Sequence, residues 1–534
     1  MLTKTFESLP NECLREIFSF IEKDGQSLFS CLFVSRLWCK HVVPILWRNP
    51  FRHFHSLTST YSYTLCRTLL SGLNENEQKI MFPYDISQYN FSKPIFKYTE
   101  HLEKLSFREI ETAADSWIQH EQNNCTNEPC RIQLIMGAIV QLIMRTGRRL
   151  KELKLCSGYV CLDIKEGLKF NNSDLGFTNL NKLVIEIEHI KMIPNLIKLW
   201  KIFPNLCKNL HELVYIIYEE DILDNNITDS LSEILSSQKN LNRFSLELSE
   251  SDIFRSEDSN ENYKIQVGGI MSALYSRKES LNSLSLNFIN FSATNLEGIT
   301  ELTKLETLEI YNCSGISKKN HNKFLRSSFF LKKLIWEDND PLDREILLAL
   351  LGKSGRTLIN FGTDELSMET IQTITRLCPN IKEFTLVYHD QELDAFLNYF
   401  KGSKINQLNV ESSNFIYEDD RPINVLTFLG EYIPPNLEIL KLNSKFDSFS
   451  FEKLLSNYSI SSSKSMQTIH IEVFLEEIIK YIEIIFDYVK LGNVLKKLVI
   501  PPIQWKDNEL NFIDKIKEFG KQYTISFSEV WSDQ

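Results

Sequence analysis

The sequence predicts a mixed α/β chain. A small N-terminal helical unit is followed by an irregular solenoid of strand–helix repeats, with parallel strands on the concave face and helices on the convex face. Three observations predict it. The stretch Leu305-Glu-Thr-Leu308-Glu-Ile310-Tyr-Asn-Cys313 is apolar at its first, fourth, sixth and ninth positions, and looser copies recur from Leu102 to Ile500. Between copies the apolar spacing turns helical, as at Leu231, Ile234 and Leu235, or at Ile478, Ile482, Ile485 and Val489. The first fifty residues carry helical apolar stripes and no copy of the repeat. One strand–helix unit cannot bury its own apolar face, so copies stack into an extended surface suited to holding another protein.

The chain has 534 residues, 43% hydrophobic and 24% charged, with a formal net charge of -11. That is an ordinary composition for a folded soluble protein. The negative balance argues against nucleic acid or an acidic membrane as the main partner. The 11 cysteines are odd in number and scattered, which predicts reduced thiols and a cytoplasmic and/or nuclear location. Residues 1–7 lack the apolar core of a signal peptide. The longest apolar run, Ile132 to Met144, is broken by Gln133 and Gln141 and is too short to span a bilayer.

In chain order, the first helix opens at Pro10, where the missing N–H costs nothing. Cys13, Leu14, Ile17, Phe18 and Ile21 follow at helical spacing, and Lys23-Asp-Gly25 ends the run. A second segment, Ser27 to Val34, and a third, Ser35 to about Val43, come next, with Pro44 marking the end. Residues such as Leu28, Phe29, Leu32, Phe33, Val34 and Trp38 supply more apolar surface than three short helices can hide. The excess implies a partner helix or groove. The pattern Leu9-Pro10-x-Glu12-x-Leu14-x-x-Ile17-Phe18, then Val34-Ser35-Arg36-x-Trp38, resembles the F-box motif over roughly residues 7–50. The resemblance implies docking onto the Skp-type adaptor of a Skp–cullin–F-box (SCF) ubiquitin ligase. It places Leu9, Pro10, Ile17, Leu32, Val34 and Trp38 at adaptor-facing or motif-core positions. The alternative is a helical cap that shields the first repeat.

Residues 51–100 read as a helical linker after an F-box at 1–50. Within it, Thr58 to Met81 forms one or two helices, with a helix start where Glu77 follows Asn74 by three positions. Residues 101–534 form the solenoid. Its copies begin at Leu102, Leu150, Leu180, Leu210, Leu241, Leu281, Leu305, Leu331, Leu358, Ile381, Ile405, Leu437, Met466 and Leu495. From Leu281 to Ile405 the steps are 24, 26, 27, 23 and 24 residues, the period of leucine-rich repeats. The step of 48 after Leu102 holds a helix, Arg131 to Arg145, and room for one more repeat. Leu510 to Phe519 and Tyr523 to Phe527 read as a closing helix and strand. The chain is thus similar to F-box proteins with leucine-rich repeats. It departs from them at the ninth repeat position, where only Cys313 and Asn339 supply the expected residue, so its turns are expected to be irregular.

Alternation along a strand turns the third, fifth and seventh positions to the concave face. The seventh is acidic at Glu186, Glu247, Glu337, Asp364, Glu411 and Glu472, and basic at Arg108. Together with Tyr311, a residue type common at binding hot spots, these acids are the candidate substrate-binding residues, suited to a basic partner. A solvated polar face explains the same charges more simply, because the third position mixes Lys182, Glu212, Arg243 and Lys333. Trp336 occupies a core position. No catalytic, metal or cofactor motif survives inspection. Gly352-Lys353-Ser354 lacks the upstream glycine of a phosphate loop. Cys125, Cys130, Cys156 and Cys161 are spaced too widely for a zinc knuckle. Arg145, Arg148, Arg149 and Lys151 read as a solvated helix end.

The sequence therefore predicts a non-catalytic, cofactor-free substrate-recognition subunit of an SCF-type ligase. Its F-box would hold the Skp-type adaptor, and through it a cullin, while its repeats would present a protein for ubiquitin-dependent proteasomal degradation. The alternative is a leucine-rich-repeat scaffold or inhibitor with a helical N-terminal cap.

Overall fold

A computed structural model of the chain describes residues 9–22, 24–51, 59–80, 91–121, 128–156, 175–188, 200–201, 203–218, 225–248, 268–289, 291, 296–316, 318–327, 329–339, 343–388, 393–412, 425–443, 446–461, 466–471, 478–500, 510–523 and 525–529. Two compact units emerge, residues 1–282 with 293–302, and residues 283–292 with 303–534. No helix among the described residues is long and apolar enough to cross a membrane.

The first unit opens with three helices, α1 (Asn11–Phe20), α2 (Gly25–Cys31) and α3 (Arg36–Leu46). Each starts where a side chain or a proline relieves the unpaired N–H groups of its first turn. Pro10 precedes α1, Asp24 accepts from the Ser27 N–H, and Ser35 accepts from the Trp38 N–H at 3.2 Å. Leu14, Phe18, Leu28, Val42 and Ile45 form the core, and the Trp38 ring meets Phe18 edge-on with centroids 5.1 Å apart. Pro44 does not end the third helix as its position suggests but lies inside it. The helix stops two residues later, so the proline sacrifices a single last-turn hydrogen bond.

Within residues 51–100, two helices pack against helices of the first repeats. Helix α4 (Ser59–Leu70) lies against α6 (Phe107–Glu121), and α5 (Glu75–Ile80) against α7 (Glu128–Thr146). Asn74 and Glu77 form the expected reciprocal cap, at 2.8 and 2.9 Å. The buried Glu77 carboxylate also takes two hydrogen bonds from Arg145, at 2.6 and 2.9 Å. Arg145 is therefore tied down rather than part of a free basic patch.

Five parallel strands follow in sequence order: β1 (Lys104–Ser106), β2 (Glu152–Cys156), β3 (Lys182–Ile187), β4 (Glu212–Ile217) and β5 (Arg243–Leu248). The 48-residue step holds α6 and α7, with no further strand among the described residues. The second unit continues the same architecture with β6 (Ser283–Asn287), β7 (Thr307–Tyr311), β8 (Lys333–Glu337), β9 (Asn360–Thr363), β10 (Glu383–Tyr388), β11 (Gln407–Ser412), β12 (Ile439–Asn443), β13 (Thr468–Ile471), β14 (Lys497–Ile500) and β15 (Ser526–Glu529), again parallel and in sequence order. Strands alternate with helices throughout, so the α/β solenoid class holds. Along each strand the leucine positions are buried and most intervening ones are partly exposed, as at β5 and β7. Trp336 is buried.

A backbone device registers the repeats. In most repeats the residue just ahead of the strand offers one carbonyl to two consecutive N–H groups of the next repeat. The Glu103 carbonyl accepts from Lys151 and Glu152, that of Lys151 from Asn181 and Lys182, and that of Lys382 from Asn406 and Gln407. The series begins inside the helical bundle, because the Arg48 carbonyl accepts from Glu103 at 2.8 Å and Lys104 at 3.1 Å. The Arg48 side chain pairs with Glu22 and Glu103 as well.

Turns between repeats are satisfied one by one. Cys313 and Asn339 do serve the turns, Asn339 bonding the Cys313 N–H at 2.8 Å and the Ile310 carbonyl at 2.9 Å. Elsewhere other side chains take over. Gln238, fully buried, accepts from the Leu210 N–H at 3.2 Å and donates to the Cys207 carbonyl at 2.7 Å. Gln238→Ala leaves both groups unpaired in the interior, at about 1–3 kcal/mol each. A lower denaturation midpoint with faster hydrogen exchange at the Leu210 amide is the expected result.

Candidate functional site

The candidate surfaces are the outer side of the helical bundle and, within each unit, the strand face formed by alternate side chains. The bundle core uses one side of each short helix, and apolar residues on the other sides stay in solvent. Phe20 is 82% exposed, Phe33 77% and Val34 59%. Ile17 and Phe29 are also exposed, and the Phe29 and Phe33 rings meet edge-on at 5.4 Å. Of the six bundle residues singled out from the sequence, Pro10, Ile17 and Val34 are exposed. Leu9, Leu32 and Trp38 are half-buried and pack against the bundle's own core. Phe20, Phe29 and Phe33 were not among the six. The usable signal was i, i+4 spacing, since Phe29 and Phe33 share a stripe that the core residue Leu28 does not.

In the first unit, strand register sets Lys104, Glu152, Lys182, Glu212 and Arg243 side by side across β1 to β5. Opposite charges alternate, with Lys104–Glu152 at 2.8 Å and Lys182–Glu212 at 3.0 Å. A groove of about 410 Å³ runs along these residues. Its charges neutralise one another, which leaves little net field for a ligand.

Four residues along, Glu186 is 96% withdrawn from solvent, at 4% exposure. Tyr218 donates to it at 2.6 Å, Lys154 pairs with it at 3.0 Å, and Arg108 lies at 3.9 Å while also pairing with Glu188. Burial disfavours its charge, but hydrogen bonds from Cys156, Tyr218 and Lys154 outweigh that and hold its carboxyl below the ordinary value. Glu186 is therefore spent inside the protein. Burial, and then the Glu186 charge, push the Glu247 carboxyl up. Ile216 of β4 lies between the two acids in register.

The second unit differs. Tyr311 of β7, half-buried, sits beside Glu337 of β8, and Asp364 follows Thr363, the register partner of Trp336. Val387 of β10 faces Glu411 of β11 and interrupts the acidic row. Glu337 is 8% exposed. Burial, then the charges of Glu411, Asp364, Asp338 and Glu309, push its carboxyl up to about 9. Glu309 is itself paired with Lys333 at 2.6 Å. Glu472 lies outside the described residues.

No cluster of three or more His, Cys, Asp or Glu side chains suited to a metal ion occurs among the described residues. Burial pushes the thiols of Cys156, Cys313 and Cys378 up to about 12, which keeps them protonated and poor nucleophiles. Lys353 and Ser354 end the helix Arg344–Ser354, where the buried Ser354 hydroxyl accepts from the Leu331 N–H at 3.0 Å.

Comparison with known proteins bears on the bundle first. Residues 6–53 match the family model described as F-box-like. The chain thus carries an F-box-like domain, followed by the strand–helix repeats. The search of curated proteins finds no match. Among solved structures, the crystal structure of the Rad7 and Elc1 complex in yeast is similar at 14% identity and a TM-score of 0.35, over 82% of this chain and 93% of that one.

Proposed function

We propose that this chain is a substrate-recognition subunit of an SCF-type ubiquitin ligase and has no catalytic site of its own. The F-box-like domain docks a Skp-type adaptor, which links it to a cullin. The repeats hold a protein substrate for ubiquitin-dependent degradation by the proteasome, in the cytoplasm or nucleus. The observation that carries this reading is the F-box-like match at residues 6–53 together with the solvent-facing Ile17, Phe20, Phe29, Phe33 and Val34 on that same unit. A single small unit that leaves several large apolar side chains in water fits a partner that covers them. Pro10, Ile17 and Val34 belong to this docking surface. Leu9, Leu32 and Trp38 shape it from beneath.

The test is affinity capture of a recombinant Skp-type adaptor by the full chain. A stable complex of the two is expected, and its absence would overturn the proposal. The second reading, a scaffold capped by its N-terminal helices, draws on the Arg48 carbonyl, which starts the series of paired repeats. Truncation cannot separate the two readings, because loss of residues 1–50 removes Arg48 under either. Capture separates them, since a cap has no reason to retain the adaptor.

A further inference from the structure

We propose that the rim of the second unit where the chain enters strands β8, β9 and β10 docks an acidic segment of a partner protein. The segment's carboxylates would sit on Lys353, Arg356 and Lys382, and an apolar side chain on Phe330 and Ile359. This rests on the reading of the repeats as the substrate-holding part, and it names the chemistry that part selects.

The rim is a continuous file held by main-chain bonds. Lys332, Ile359 and Lys382 each stand just ahead of their strand. The Lys332 carbonyl accepts from the Ile359 N–H at 2.8 Å, and the Ile359 carbonyl from the Lys382 N–H at 2.8 Å. The Thr357 hydroxyl donates to the Leu331 carbonyl at 2.7 Å, which brings the chain at Arg356 to the chain at Phe330. The Asn380 side chain donates to the Arg356 carbonyl at 2.8 Å. Lys353, in the last turn of the helix Arg344–Ser354, lies over the Phe330 ring at 5.6 Å.

This rim differs from its counterpart in the first unit. There the charges neutralise one another, Lys151 with Glu103 at 3.0 Å and Lys182 with Glu212 at 3.0 Å. In the second unit Glu306 takes Lys332 at 2.7 Å, and Glu383 accepts from Asn360 at 2.7 Å. Lys353, Arg356 and Lys382 pair with no carboxylate among the described residues. Arg356 and Lys382 are exposed, and so are Phe330 at 58% and Ile359 at 41%. A helix C-terminus favours cations, which accounts for Lys353. It does not account for two large apolar side chains held in water beside them. Unpaired cations around an exposed apolar pair complement a segment that mixes acidic and apolar residues.

The experiment is fluorescence anisotropy of a labelled Asp–Glu–Leu–Gly repeat peptide titrated with the full chain at low ionic strength. The chain's net charge of -11 repels such a peptide in general, so capture points to a local cationic site. Binding is expected, and it should weaken steeply as salt is added. Arg356→Glu with Lys382→Glu should bind about tenfold or more weakly, and Phe330→Ala about threefold or more weakly. Arg356→Lys with Lys382→Arg keeps both charges and should retain binding, with circular dichroism unchanged in every variant. No binding, affinity unchanged by the charge reversal or by Phe330→Ala, or equally tight binding of an oligothymidylate would each overturn the proposal. Adaptor capture is measured separately, so failure here leaves the ligase reading standing.

Discussion

Replacing Glu337 by glutamine is expected to make the repeat array more stable, and more so as pH rises. The folded carboxyl titrates at about 9, against ~4.3 in an unfolded chain. Between those values the native state holds a proton that the unfolded state has lost. Unfolding free energy therefore falls with rising pH across that window. Below about pH 4 the group is protonated in both states and the penalty vanishes. Glutamine has the shape of the protonated acid and no proton to give up. The gain at pH 8 is on the order of a few kcal/mol, read as a rise in the denaturation midpoint over wild type. The same comparison at pH 5 should show little difference. Equal gains at both pH values would refute the assignment.

The second large effect lies on the F-box-like domain. Phe20→Ala with Phe33→Ala is expected to weaken adaptor binding by about a hundredfold or more. Each phenylalanine side chain is worth about 1.5–3 kcal/mol when water is fully removed from it, and every 1.4 kcal/mol is about tenfold in affinity. Both rings already stand in solvent, so the unbound fold has little to lose and helical content should not change. Leu14→Ala offers the contrast. That residue is fully buried in the bundle core, and its truncation should cost about 2–5 kcal/mol of stability. Surface plasmon resonance against the adaptor, with circular dichroism of each variant, separates a lost contact from a lost fold. An affinity unchanged in the double phenylalanine variant would remove this face from the interface.

The strand frame was legible in the sequence because a buried leucine ladder leaves a periodic mark. Each of β1 to β14 begins two residues after the first apolar position of its repeat, from Leu102 and Lys104 to Leu495 and Lys497. The closing helix and strand were legible too, though the strand sits later, at Ser526–Glu529. Lateral and diagonal contacts were harder to read. Glu186 looked like a free surface acid from its repeat position. Lys154 from the preceding repeat, Tyr218 from the next and Arg108 enclose it instead. The acidic row is discontinuous because Ile216 separates Glu186 from Glu247 and Val387 separates Asp364 from Glu411, so those members lie two strands, about 10 Å, apart, while Glu337 and Asp364 fall on neighbouring strands. On the bundle, helical periodicity marks the buried stripe and says little about Phe20, which sits outside it.

The paired carbonyl at Arg48 has a mechanical consequence. A partner docked on the phenylalanines of the bundle, as proposed, would be held at an angle set by the main-chain hydrogen bonds from Glu103 and Lys104 to the Arg48 carbonyl. Lengthening the polypeptide between Phe51 and Tyr98 would add slack without turning that handle. Torque applied at one end would pass directly into the first strand of the stack.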